Sequence, residues 1–579
     1  MKQYIAILLI SCTCTVFQSC DDMLEQYPKD SVSPETFFTT ENELKLYTNS
    51  LLFIFPATSL YTEGADNIVK QGLDDEIAGI RDATTSGGWD WANLRKVNFF
   101  LDNSHKCKDE NVRMKYDAIA RFFRAYFYFD MVKRFGDVPW YDHVFGETDK
   151  EQLYKKRDSR ILVMDNMLED INFAIAHLRT DKKQNEVTKW TALALKSRFC
   201  LFEGTFRKYQ GLSGWEKFID ESISASEALI QGNQYSIYTG GGKDVAYRDL
   251  FAGINANTDE VITARGYNAE LQIFHNCNYY TLTSSYGQPG FEKQLIESYL
   301  MADGSRFTDI EGYDKMFFFE EMQNRDPRLA QSIRTPGYKR IDGNITERPQ
   351  FTFTVTGYMP IKYVCESKYD MYEKNENDLI IYRYAEVLLN LAEAKAEKGN
   401  LTQDDIDRTI KLIRDRAGMP NLQMAEANAN PDSFMAEQFP GVSGDNKGVI
   451  LEIRRERRIE LVMENHRYYD MIRWKAGKQF ERQFKGIYIP EPGFYDLDGD
   501  GILDLCVHEK GKKPENLQNV EQVLEIGSNI TLENGTSGNI VINSNIKKKW
   551  DESKDYLFPI PITEIRMNPD LEQNPGWEK

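Results

Sequence analysis

Four aspartates, Asp496, Asp498, Asp500 and Asp504, fall in the run DLDGDGILD, with Gly501 following the third. Hard divalent cations take oxygen donors from a loop of this spacing: carboxylates at the first, third, fifth and ninth positions, a backbone carbonyl at the seventh, and a glycine at the sixth for the sharp turn. Ile502 would supply the carbonyl, so the run is expected to hold a structural calcium ion. The twelfth position is Val507 rather than a bidentate glutamate, and Glu509 or another segment would have to complete the shell. A solvated acidic turn has the same composition and stays open as the alternative.

Two further groups suit a different chemistry. Flat aromatic faces pack on the apolar C–H face of a sugar ring, and amide, carboxylate and guanidinium groups around them bond its hydroxyls. One group is Trp89, Trp91 and Asn93, directly after a glycine-rich loop with Asp74, Asp75 and Arg81; the other is Tyr279, Tyr280, Tyr286, Gln288 and Phe291. Trp91 opens a helix running through Leu94, Val97 and Phe100, which is the spacing of a core face. Trp89, set among glycines before that helix, is therefore the better ligand residue. The tyrosines lie in an irregular segment where periodicity does not dictate burial.

Little in the sequence points to catalysis. Asp74 and Asp75 are adjacent and diverge in direction, and the six histidines form no HExxH array. No GxSxG, P-loop or dinucleotide-binding fingerprint occurs. The reading is a binding protein and not an enzyme, needing no cofactor beyond the candidate calcium. A glycoside hydrolase, which needs two facing carboxylates, ranks well below.

The scaffold that must position these groups is mostly helical. A tether followed by a first amphipathic helix is expected within about 26–55, with Ser31 or Ser33 and Glu35 as capping residues, and further helices at 116–134, 161–178, 188–209, 215–231, 379–398, 404–416 and 448–475. Short polar connections make these stacked antiparallel pairs, and small residues at 384–399 allow the close approach of tetratricopeptide-like packing. The repeats are degenerate. Residues 235–363 and 480–538, rich in Gly, Asn, Thr and aromatics, are expected as long loops with short strands. The charges of Arg454, Arg455, Glu456, Arg457, Arg458 and Glu460 fall at helical spacings that favour ion pairing within a scaffold over anion binding.

The chain of 579 residues is acidic, with a formal net charge of -19, which excludes nucleic acid and disfavours acidic polymers as partners. Lys2 and the apolar run 5–10 resemble a secretory signal ending at Cys20. The residues FQSC resemble a lipobox, in which Cys20 would carry lipid, so the membrane would be met through an anchor only. Asp21 and Asp22 resemble the export signal that takes lipoproteins of Bacteroidota to the outer face of the outer membrane. Cys107, Cys200, Cys277, Cys365 and Cys506 are scattered without metal-ligand spacing and are expected as buried thiols.

Four segments, 121–139 (RFFRAYFYFDMVKRFGDVP), 381–397 (IYRYAEVLLNLAEAKAE), 450–474 (ILEIRRERRIELVMENHRYYDMIRW) and 556–577 (YLFPIPITEIRMNPDLEQNPGW), resemble signatures of the SusD/RagB family of nutrient-binding lipoproteins. Two lesser matches, YLMADG at 299–304 and NRDPRL at 324–329, fall in order between them. The resemblance implies a mostly α SusD-like fold with tetratricopeptide-like pairs and a loop-rich ligand face. It divides the chain into a signal peptide (1–19), an N-terminal region (20–235), a loop-rich region (236–378) and a C-terminal region (379–579) with an insertion at about 480–545. It further implies surface capture of a glycan and its delivery to a SusC-like TonB-dependent transporter, with a peptide importer of the RagB kind as the second reading. Ligand residues vary within the family, so none is carried over by motif.

Overall fold

A computed structural model of the protein describes residues 37–57, 60–146 and 148–578. The expectations for the signal peptide, for Cys20 and for the caps Ser31 and Ser33 fall outside the described residues. The first described helix, α1 (Glu41–Leu51), begins at a capping box: Thr40 Oγ accepts from the Glu43 amide while the Glu43 carboxylate accepts from the Thr40 amide. Phe37 and Phe38 precede the helix, and Phe38 is wholly buried.

The main array follows: α2 (Ala92–Asn103), α3 (Glu110–Phe135), α4 (Arg160–His177), α5 (Lys189–Gln210) and α6 (Trp215–Gln231). Each packs on the next in sequence. The chain later returns as α7 (Tyr384–Lys398), α8 (Ile410–Ala417), α9 (Lys447–Glu460) and α10 (Arg467–Arg473). α7 docks on α6 and α9 on α7, which extends the array. α5 and α6 approach very closely at Gly204, where a Cβ would lie 2.8 Å from the Ile219 side chain and 3.0 Å from its backbone nitrogen.

Two expected helices are interrupted. Residues 379–398 divide into a strand and α7, because the fully buried run LIIYR is apolar and β-branched and pairs with a second strand rather than lengthening the helix. Residues 448–475 divide into α9 and α10, with Met463 and Asn465 at positive φ between them. The stretch 404–416 likewise opens with a separate short helix, Gln403–Asp407, before α8.

The strands are short: β1 (Ile68–Val69), β2 (Val261–Arg265), β3 (Gly290–Phe291), β4 (Leu379–Arg383), β5 (Lys485–Ile489), β6 (Gly493–Tyr495), β7 (Leu505–His508), β8 (Gln522–Glu525) and β9 (Gly538–Val541). β1 pairs with β3, β2 with β4 and β5 with β9, all antiparallel; β6, β7 and β8 form a three-stranded sheet in which β7 and β8 run parallel. The five cysteines after residue 100 are buried and free. No helix among the described residues is long and apolar enough to cross a membrane.

The core is only partly apolar. Every residue of α9 from Gly448 to Glu460 is buried, charges included. Glu460 is held by Arg383 at 2.6 Å, Arg416 at 2.5 Å and Arg328 at 3.1 Å, and Glu456 by Arg414 at 2.8 Å. Arg457 reaches Asp470 at 2.8 Å, Arg454 reaches Glu397 at 3.2 Å, and Arg458 donates to Asn67 at 2.7 Å. Burial would raise the Glu460 carboxyl, yet the three guanidinium groups around it hold it well below the usual range. The charge run is thus the centre of an ion-pair lattice, as its helical spacing foretold, but one that is buried.

Candidate functional site

One face of the molecule carries exposed aromatic rings beside the short helix Cys277–Leu282. There Tyr279 meets Tyr286 with ring centroids 6.1 Å apart and Tyr372 at 5.6 Å, both edge to face. Tyr372 is 54% exposed and Tyr286 38%. Met371 beside them is exposed as well. The three rings form an open aromatic cluster, because Tyr279 sits on the short helix Cys277–Leu282 while the other two project from turns. Asn276 on the same segment accepts from the Glu373 amide at 2.5 Å, which fixes the Tyr372 turn against the helix.

Gln288, two residues beyond Tyr286, lines a polar cleft of about 720 Å³ together with Gln71, Gln350, Thr352, Asn529 and Asn543. Gln288 donates to Thr352 O at 2.7 Å, and the Gln71 amide donates to Gly287 O at 2.7 Å, so the loops of the two walls hold each other. Amide and hydroxyl groups both donate and accept, which matches sugar hydroxyls; adjacent open aromatic rings match the sugar's C–H face.

The residues singled out from the sequence divide sharply. Tyr279, Tyr286 and Gln288 lie on this face. Tyr280 and Phe291 are buried at 3% and 0% exposure, Tyr280 against Tyr61 and Phe291 in β3, so these two are core rather than ligand residues. Their alternation with exposed neighbours carries no period that the sequence reveals. Asp74 bonds Lys70 at 3.0 Å, and Asp75 is exposed in the first turn of the short helix Asp75–Ala78.

Arg81 is also structural. It is buried, donates to Asp555 O at 2.5 Å, and lies over the rings of Phe558, Trp577 and Trp550. Its partners come from the C-terminal tail, some 470 residues away in sequence, which no local pattern announces.

Trp89 and Trp91 form a second cleft, of about 470 Å³, with Tyr141, Asn98 and residues of the helix Ile562–Met567. Both indoles are half-buried: Trp89 packs edge-on to Phe135 at 5.0 Å and Trp91 to Tyr141 at 5.3 Å. Neither presents a free face comparable to Tyr372. Asn93 is exposed, and it is Asn98 that lines the cleft, donating to Tyr141 O at 2.9 Å.

The acidic loop joins β6 to β7. Asp496 caps its own turn, accepting from the amides of Gly499 at 2.6 Å and Gly501 at 2.7 Å. One carboxylate oxygen each from Asp496, Asp498 and Asp504 lie within 4.8 Å of one another. Asp500 is turned to Arg348 Nη2 at 2.7 Å, and Ile502 is exposed. Burial, reinforced by Asp498 and Asp496, pushes the Asp504 carboxyl up to about 6. Glu509 pairs with Lys512 at 2.9 Å and Val507 is buried in β7, so neither completes this cluster.

A helical array that carries a loop-built face of open tyrosines and amide groups defines a ligand-binding scaffold protein. The chain belongs to the SusD family: the family model of that name matches residues 253–577, and a second, described as starch-binding associating with outer membrane, matches 79–202. Among curated relatives, SusD-like protein P25 of Formosa agariphila is 22% identical over 79% of this chain and 87% of its own length. A SusD-like protein of Bacteroides ovatus is 22% identical over 89% of this chain and 93% of its own. Among solved structures, a SusD-like protein from Bacteroides fragilis superposes with a TM-score of 0.70 at 21% identity, covering 95% of this chain and all of the other. A SusD-like carbohydrate binding protein from the same organism gives 0.69 at 21%, covering 93% of this chain. The mostly α SusD-like fold expected from the four sequence segments is therefore established.

Proposed function

We propose that the protein captures a neutral oligosaccharide on the face formed by Tyr279, Tyr286, Tyr372 and the amide-lined cleft, without chemically altering it. It then hands the glycan to a SusC-like TonB-dependent barrel in the outer membrane. The open tyrosine cluster carries this reading, because rings left exposed beside a cleft of amide groups are where a sugar's two kinds of surface are both matched. The starch-binding, outer-membrane description of the matching family and the carbohydrate-binding relative support it. A lipid on Cys20 would hold the protein at the cell surface.

Affinity electrophoresis and calorimetry against neutral polysaccharides and their oligosaccharides test the proposal. Binding to at least one, lost on replacing the tyrosines, is the expected result. Binding of peptides with none of glycans would move the assignment to a peptide importer of the RagB kind. Turnover of a bound glycan by the pure protein would overturn the non-catalytic role.

A further inference from the structure

The acidic loop between β6 and β7 has more negative charge than its surroundings answer. Among the described residues Arg348 is the one cation paired with it: Nε lies 2.9 Å from an Asp498 oxygen and 2.8 Å from Asp504 Oδ1, while Nη2 reaches Asp500 and Nη1 approaches Glu521 at 3.4 Å. One guanidinium thus faces four carboxylates, and a fifth, Asp496, converges with two of them. The Asp498 side chain is only 6% exposed, and its Oδ1 is enclosed without any hydrogen-bond donor. A buried carboxylate oxygen left without a donor is costly, so an ion-paired acidic turn alone does not account for this arrangement.

A hard divalent cation does account for it. Oxygen atoms of Asp496, Asp498 and Asp504 already converge, Asp500 and the Ile502 carbonyl stand at the spacing that completes such a loop, and Gly501, at φ 85, makes the turn between them. We infer that residues 496–504 form a calcium site in which the ion and the Arg348 guanidinium are alternative occupants of the same charge. Calcium binding displaces Arg348 from the aspartates. Arg348 is two residues from Gln350 and three from Phe351, and Glu521 adjoins Gln522, which accepts from the Phe351 amide at 2.8 Å. All three of these neighbours line the polar cleft, so the ion sits behind one of its walls.

The test is direct titration of the chelator-stripped, full-length protein with calcium chloride by calorimetry, and with terbium followed by luminescence sensitised through Tyr495 next to Asp496. The expected result is one ion per chain and a rise in Tm with calcium, both lost in Asp498→Ala. Arg348→Gln keeps the result interpretable should that variant fail to fold. Removing a competitor should tighten calcium binding several-fold, and calcium should restore the Tm that the apo variant loses. No calcium heat and no terbium signal at millimolar metal, in both wild type and Arg348→Gln, would overturn the proposal. Weaker calcium binding in Arg348→Gln than in wild type would overturn the competition between ion and guanidinium.

Discussion

Tyr280 and Tyr286 differ by six residues and have opposite roles, and only their surroundings distinguish them. Tyr372→Ala removes an open ring and should weaken glycan binding by about 1 kcal/mol, roughly fivefold in Kd, with Tm unchanged. Tyr280→Ala empties a packed site and should cost about 3–5 kcal/mol of stability in chemical denaturation. If Tyr372→Ala lowered Tm as much as Tyr280→Ala does, the cluster would be core and the ligand face would lie elsewhere. Tyr279, Tyr286 and Gln288 were legible through their irregular, aromatic-rich setting. Tyr372 was not legible, because its proximity to Tyr279 comes from the return of the chain before β4. Arg81 misled for the same reason in reverse: its stacking partners Phe558 and Trp577 arrive from the far end of the chain.

Helices were the most legible elements, since a long buried helix such as α3 writes its apolar surface into many successive turns. Breaks were less so. LIIYR before α7 is as compatible with a buried helix turn as with a strand, and only its pairing with β2 decides. In α9 the charge spacing correctly indicated ion pairing, but not that the partners would be buried. Glu460→Gln leaves Arg383, Arg416 and Arg328 short of a counter-charge in the interior. It should destabilise the protein by about 3–5 kcal/mol, measured by urea unfolding. A loss below 1 kcal/mol would show that the lattice relaxes around a neutral side chain. Gly204→Ala should cost about 1–3 kcal/mol through overpacking of α5 against α6.

For the whole molecule, acid stability follows from these buried carboxylates. Burial would raise the Glu393 carboxyl, but the Arg473 guanidinium beside it prevails and holds it down to about 2, against 4.5 unperturbed. A group depressed on folding contributes stability that is present above its unfolded value and is lost as pH falls through its folded value. Tm should therefore hold at neutral pH and fall between about 4.5 and 2. Glu393→Gln should be less stable at pH 7 and lose less across that window; an unchanged acid limb would assign the loss to other groups. The net charge of -19 bears on ligand choice as well: uncharged polysaccharides should retard the protein in affinity gels at low salt where polyanionic ones do not.

The ionic lattice around α9 also has a mechanical meaning. It draws Asp66, Arg328, Arg383 and Arg416 from four separate stretches of chain onto one helical turn, with Glu260 joined to it through Arg383. These stretches cannot slide past one another without stranding a charge in the interior. Any large displacement within the molecule must then move these parts together, as a stiff lever turning about a pivot outside the lattice.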